Sequence, residues 1–228
     1  MENVEKLERA EKEKAPKRNP FVSFLKEWGI FILIVAAVIL SRIFIWSLVV
    51  VDGHSMDPTL ADKQRLVIVK TASIHRGDVV VAKEVANGQT KDIVKRVIGM
   101  PGDVVKFDHD KLYINGKVQS EDYLKDFQAQ LKSGQLEKTY ENYPLTADLS
   151  TQDRAYFVQL AQQAKSFTTD STNNPVFQVN VPQGQYFLMG DNRIVSKDSR
   201  AVGPFMKKDI IGVVKLRIWP LPSFSLIK

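Results

Sequence analysis

From Trp28 to Val51 the chain carries no charged residue except Arg42, and the centre of that run, "IFILIVAAVIL", is apolar without a break. A helix needs about 20 apolar residues to cross the hydrocarbon core of a bilayer. This run is long enough, and it predicts one transmembrane helix over residues 22–45. A cleaved leader is the competing account, but the apolar core is followed by "SRIFIWSLVVVDG", which offers no small-x-small cleavage site. The helix is therefore expected to remain as an anchor. Lys14, Lys17, Arg18 and Lys26 precede the apolar core, Asp52 and Asp57 follow it, and no Lys or Arg stands between Arg42 and Lys63. Cations gather on the cytoplasmic side of a span, so the N-terminus is expected in the cytoplasm and everything beyond residue 45 outside. Arg42 reads as a cation reaching the outer interface beside Trp46. Residues 1–21 mix acids and bases around a Pro-flanked basic cluster and read as a solvated cytoplasmic tail.

Composition narrows the chemistry more than the partner. The net charge of +6 suits a membrane surface or a nucleic acid and also suits many exported bacterial proteins, so its sign does not choose. The absence of cysteine excludes disulfides, thiolate zinc sites and thiol nucleophiles. Covalent catalysis, if there is any, falls to Ser, Thr, Lys or a carboxylate.

Beyond the apolar run the period changes. "IWSLVVVDG", "QRLVIVK", "GDVVVAKE", "DIVKRVIG", "GDVVKFD", "KLYING", "FQVNV", "QYFLMG" and "IIGVVKLRIW" are short Val/Ile-rich runs bounded by Gly, Pro, Asp and Asn. They predict a mostly β, antiparallel core over residues 46–119 and 175–228. Residues 120–174 are richer in helix formers and polar residues, and read as a partly helical insertion between two halves of that core. The insertion is expected to form a mobile cap away from any catalytic centre.

Three stretches carry chemistry. In "VDGHSMDPTL" the hydroxyl of Ser55 lies just past the anchor. In "DIVKRVIGMPGD" alternation sets Ile93, Lys95 and Val97 on one face and Val94, Arg96 and Ile98 on the other, so two cations stand on a strand that is otherwise apolar on both faces. Each cation can snorkel or pair with an acid. Lys95 has a second possibility, because an amine held among apolar neighbours loses the solvation of its charged form and becomes neutral near neutral pH. A neutral amine is the base that a serine nucleophile needs. The histidines compete poorly: His54 adjoins Ser55 and should point to the opposite face, and His75 and His109 lie in turn-like stretches. The third stretch, "MGDNRIVSKDSRAVGP", packs acids, bases and hydroxyls into one loop after a strand.

In this order, behind one N-terminal anchor, the boxes "GHSMDPTL", "VKRVIGMPGD" and "GDNRIVSKDSR" resemble those of type I signal peptidases, membrane-bound serine proteases that remove signal peptides from exported proteins. The likeness takes in "RGDVVV" and the terminal "LRIWPL" and weakens across residues 120–174. The resemblance implies Ser55 as nucleophile and Lys95 as general base, with Ser196 hydrogen-bonding the amine. It further implies Asp191 as partner of Arg96 and Asp198 as partner of Arg200. Some members have a serine, whose hydroxyl helps bind the oxyanion, where Gly53 stands; the glycine resembles the Gram-positive branch. The implied substrates are secretory preproteins, and no cofactor, metal or nucleic acid is called for. A monomer beside a lipid bilayer is assumed.

The substrate is expected to bind extended, as a strand alongside "LVVVDG" and the segment before Lys95. Val51, Met56, Leu60 and Ile93 are the candidates for a wall admitting small residues, and each is also a candidate for the core. Two other readings stand beside the peptidase. A self-cleaving repressor uses Ser-Lys chemistry on a related fold but would need a DNA-binding helix-turn-helix in place of the anchor. A non-catalytic extracytoplasmic assembly factor should have lost Ser or Lys.

Overall fold

The computed structural model describes residues 20–86, 88–142 and 149–227. Apart from its last two residues, the expected tail lies outside them. The chain divides into two compact units, residues 1–44 and 45–228. In the first, helix α1 (Pro20–Phe44) has a mean hydropathy of 2.1 over its apolar stretch, none of which is buried inside the protein. Apolar side chains exposed on every side are stable in hydrocarbon and costly in water, and this helix is long and apolar enough to cross a membrane.

The second unit is built from two antiparallel sheets. The larger contains β1 (Trp46–Val50), β2 (Arg65–Val69), β3 (Val79–Ala86), β4 (Gln89–Gly99), β9 (Gln185–Met189), β10 (Phe205–Met206), β11 (Ile210–Trp219) and β12 (Ser225–Leu226). Its order is β1-β2-β11-β3-β4-β9-β10, with β12 beside β11. The smaller contains β5 (Val104–Asp108), β6 (Lys111–Ile114), β7 (Lys117–Gln119) and β8 (Val176–Asn180), in the order β7-β6-β5-β8. All nine Val/Ile-rich runs are strands. The three strands that sequence reading missed, β7, β10 and β12, are two or three residues long, too short for alternation to show.

Alternation on β3 and β4 divides the core. Val79, Val81 and Val94 pack with Leu66 and Ile68 on one face, while Val80, Ala82 and Val97 pack with Leu188 and Val213 on the other. The smaller sheet shares a third cluster with the end of β4 and with β9, in which Phe107 stacks on Phe177 at 5.1 Å.

The insertion consists of a 3₁₀ turn (Asp122–Leu124) and helices α2 (Lys125–Lys132), α3 (Leu136–Glu141) and α4 (Thr151–Gln163), the last capped by Ser150 Oγ accepting from the Asp153 N–H at 3.0 Å. It is not the detached cap that its polar composition suggests. Its apolar residues Leu124, Phe127, Leu136, Tyr140, Ala161 and Phe167 form a core of their own, and Ile194 and Val195 from the loop after β9 pack into it. At its root the fully buried Arg193 ion-pairs with Glu121 and also donates to Thr168 Oγ1 at 3.3 Å. The Tyr123 ring lies 4.0 Å from the Arg96 guanidinium, a cation–π contact that ties the same root to β4.

Removing one partner of a buried ion pair strands the other. Arg193→Met is expected to destabilise the protein by about 3–5 kcal/mol in denaturant unfolding. Adding Glu121→Leu to it should restore most of that loss, because no charge is then left unpaired.

Candidate active site

Lys95 lies in the interior of the large sheet. Its register partner on β3 is Val80, and its strand neighbours on the same face are Ile93 and Val97, so its side chain runs among aliphatic neighbours. It is only 4% exposed. Burial lowers its pKa from 10.5 to about 8, against the opposing pull of the nearby Asp198 and Glu84 charges. No carboxylate forms a salt bridge with it among the described residues. The Lys95 Nζ to Ser55 Oγ distance is 2.6 Å, a hydrogen bond through which a neutral amine can take the hydroxyl proton.

Ser55 sits on the turn between β1 and β2, held from below and from the side. From below, Val51, Met56 and Leu60 plunge into the core against Leu66 and Ile68. From the side, the Asn192 N–H donates to the Ser55 carbonyl at 3.0 Å and Asn192 Nδ2 to the His54 carbonyl at 3.2 Å. Gly190 permits this approach: a Cβ there would stand 2.4 Å from the Ser55 carbonyl oxygen and 2.2 Å from Ser196 Oγ. The Gly53 N–H donates to Asp62 Oδ1 at 2.7 Å. The Ser55 N–H makes no hydrogen bond among the described residues, which leaves it as a donor for an oxyanion.

The loop that carries Asn192 is fixed by two ion pairs. Asp191 receives Arg96 Nε at 2.9 Å and Nη2 at 2.7 Å, both groups being buried. Asp198 receives Arg200 Nε and Nη2, each at 2.8 Å, and also the Gly190 N–H at 3.0 Å. Those contacts hold Asp198 below the usual carboxylate range despite its burial, so it stays charged. Arg200 also donates to the Arg193 and Ser196 carbonyls, which closes the loop on itself.

The expected residues do not all converge. Ser196 Oγ is buried beside Gly190 and makes no well-formed hydrogen bond among the described residues, to the Lys95 amine or otherwise, although it is close enough to Asp198 to help keep that carboxylate charged. Val51, Met56 and Leu60 are 2%, 1% and 0% exposed, which makes them core and not an open wall. Apolar periodicity identifies a buried face but cannot tell whether it is covered by the protein or by a ligand. Ile93 is half-buried and packs in the opposite cluster, apart from those three. His54 is engaged elsewhere, its Nδ1 lying 2.9 Å from Asp57 Oδ2 and its ring edge-to-face with Phe157. His75 and His109 are exposed. Sequence reading passed over Asn192 and Gly190, although both stand in the quoted box, and it had no signal for Tyr140 or Glu121.

The family model described as "Signal peptidase, peptidase S26" matches residues 25–219. The chain belongs to this family. Signal peptidase I of Streptococcus pneumoniae serotype 4 is 50% identical over 203 residues, covering 89% of this chain and 97% of that protein. Signal peptidase I of Bacillus amyloliquefaciens is 36% identical over 217 residues, covering 93% and 95% respectively. A crystal structure of a signal peptidase I from Enterococcus faecalis matches with a TM-score of 0.41 and 25% identity, over 62% of this chain and 97% of that one. As a member of the S26 family, the chain is a serine endopeptidase of signal-peptide processing.

Two outcomes follow from the site. Gly190→Ala must push both the Ser55 carbonyl and Ser196 away, and if Ser55 is the nucleophile a displacement of its turn by about 1 Å costs on the order of 100-fold in kcat. A loss of that size with an unchanged far-UV circular dichroism spectrum is expected. Lys95→Met should stabilise the fold at pH 7, where the buried ammonium is costly. Because the folded-state pKa lies below the ordinary one, wild-type stability rises between pH 8 and 10.5 as the folded state releases its proton first. The gap to Lys95→Met in denaturant unfolding should therefore narrow by about 3 kcal/mol over that window.

Proposed function

We propose that this peptidase removes signal peptides from exported preproteins at the outer face of the cytoplasmic membrane, cutting after small-x-small motifs, with Ser55 as nucleophile and Lys95 as general base. The contact of 2.6 Å between a hydroxyl on a fixed turn and an amine depressed by burial carries this reading. Neutral Lys95 accepts the Ser55 proton as Oγ adds to the scissile carbonyl, and the Ser55 N–H receives the developing oxyanion. The lysine ammonium then gives that proton to the departing amine, leaving an acyl-enzyme and a neutral lysine. Water, deprotonated by Lys95, displaces the acyl group, and the proton returns to Ser55 Oγ as the tetrahedral adduct collapses. No charge outside the site has to move, which suits a base shielded from water.

The substrate adds as a strand. β1 is the end strand of the large sheet, and among the described residues the Gln89–Lys95 stretch of β4 pairs only with β3, so both present unpaired backbone toward a peptide. Ile93, one step before Lys95 on the same face, is the member of the expected wall that remains open to contact. The single N-terminal helix serves as the anchor, with the cations before it on the cytoplasmic side.

The deciding experiment is cleavage of a purified preprotein in detergent by the wild type, Ser55→Ala and Lys95→Ala, with the cut mapped by mass spectrometry. Cutting after a small-x-small motif by the wild type alone is the expected result. Full activity in either variant would sink the dyad, and a wild type inert on every preprotein would bring the assembly-factor reading forward. Since the protonated amine cannot act as base, kcat/KM should fall about tenfold per unit as pH drops below about 8.

A further inference from the structure

The helical insertion takes no part in the chemistry above, yet it places a buried phenol against the loop that grips the nucleophile. Tyr140, on α3, is fully buried among Leu124, Phe127, Leu136 and Phe167. Its hydroxyl donates to Asn192 Oδ1. Burial raises the phenol pKa far above neutrality, so the group remains a donor at every working pH.

Asn192 directs two donors at the nucleophile's turn, with its N–H on the Ser55 carbonyl at 3.0 Å and its Nδ2 on the His54 carbonyl at 3.2 Å. A side-chain amide can rotate and exchange its oxygen for its nitrogen. The His54 carbonyl can only accept, so the amide turns its NH₂ there and its oxygen to the phenol, whose donated hydrogen bond holds the amide in place. The His54 carbonyl belongs to the same planar peptide unit as the Ser55 N–H, and in a trans peptide the two point in opposite directions. Gripping that carbonyl therefore sets the direction of the Ser55 N–H. Gly53 adds no hydroxyl to the oxyanion, and its own N–H is committed to Asp62. The aim of the Ser55 N–H accordingly matters more here than it would beside a serine.

We propose that Tyr140 is a positioning residue: acting through Asn192, it fixes the His54–Ser55 peptide plane and so aims the Ser55 N–H at the oxyanion. Phe157 supports the same unit from α4 through its edge-to-face contact with His54 at 5.8 Å. The insertion is thereby part of the machinery that stabilises the transition state. This inference rests on Ser55 being the nucleophile.

An oxyanion donor acts in the transition state and not in substrate binding, so its misalignment lowers kcat and leaves KM. The test uses the full chain in detergent with a preprotein substrate, at a temperature well below unfolding. Tyr140→Phe is expected to lower kcat about tenfold with KM within about twofold, Asn192→Ala to lower it about 100-fold, and the double variant to be no worse than Asn192→Ala. The acid limb of the pH profile should stay in place, because Lys95 is untouched. Tyr156→Phe, on the exposed face of α4, is the control with wild-type rates. Wild-type kcat in Tyr140→Phe, whether or not its Tm falls, would overturn the inference. So would losses that multiply in the double variant, or a shifted acid limb. If Tyr140→Phe melts without cooperativity, Asn192→Ala, which keeps the phenol, carries the same split of kcat against KM. Ser55→Ala and Lys95→Ala run alongside: activity in them sinks both readings, whereas dead dyad variants beside a normal Tyr140→Phe sink only this one.

Discussion

The burial of the Lys95 amine is the constraint on which the proposed catalytic unit depends. In water a lysine is protonated and useless as a base, and only a dry setting brings its neutral form into the working range. The large sheet supplies that setting. β4 is flanked by β3 along its length and by β9 at its end, and Val80, Ile93 and Val97 lie beside Lys95, while the charges of Asp198 and Glu84 oppose the fall in its pKa without forming a salt bridge to it. Such a site tolerates the amine only if its hydrogen-bonding capacity is used, and the hydroxyl of Ser55 uses it. On the proposed mechanism, the same contact that makes burial of Lys95 tolerable would prepare Ser55 for deprotonation.

The neighbouring cation shows the contrast. Arg96 is equally buried on the opposite face of the same strand, but it has Asp191 in a two-point ion pair, the Gly77 carbonyl at 2.7 Å and the Tyr123 ring. A guanidinium is planar and keeps its charge, so it serves as a fixed strut, whereas an ammonium can lose its proton and serve as a reagent. Exchanging the two residue types would lose both functions, since arginine does not deprotonate and lysine cannot make the forked pair with Asp191.

Much of this was legible in the sequence. The apolar run from Trp28 and the alternation in "DIVKRVIG" predict the helix and the central strand, because period and length follow directly from backbone geometry. The boxes around Ser55, Lys95 and Asp191 point to residues that the fold brings together. What stayed hidden has physical reasons. Strands of two or three residues carry no period. Val51, Met56 and Leu60 look like pocket residues because a pocket and a core have the same apolar signature. The insertion looked like a bystander because its polar composition reports only its outer surface, while its ties to the loop after β9 run through Tyr140 and Glu121, each far in sequence from its partner.

Those ties converge on three consecutive residues. Asp191 reaches back to β4, Asn192 to the Ser55 turn and to Tyr140, and Arg193 to Glu121 at the root of the insertion. An apolar loop could have joined the same elements with comparable stability, since a buried ion pair gains little over well-packed hydrocarbon. Hydrocarbon contacts, however, tolerate sliding and rotation, whereas a two-point carboxylate–guanidinium pair or a side-chain amide with a fixed donor on one side does not. With Ser55 as the proposed nucleophile, where a displacement of about 1 Å would cost on the order of 100-fold in rate, the polar junction serves geometry more than stability. On that argument the composition of "GDNR" reflects the need to hold strand, turn and insertion in a single register around Ser55.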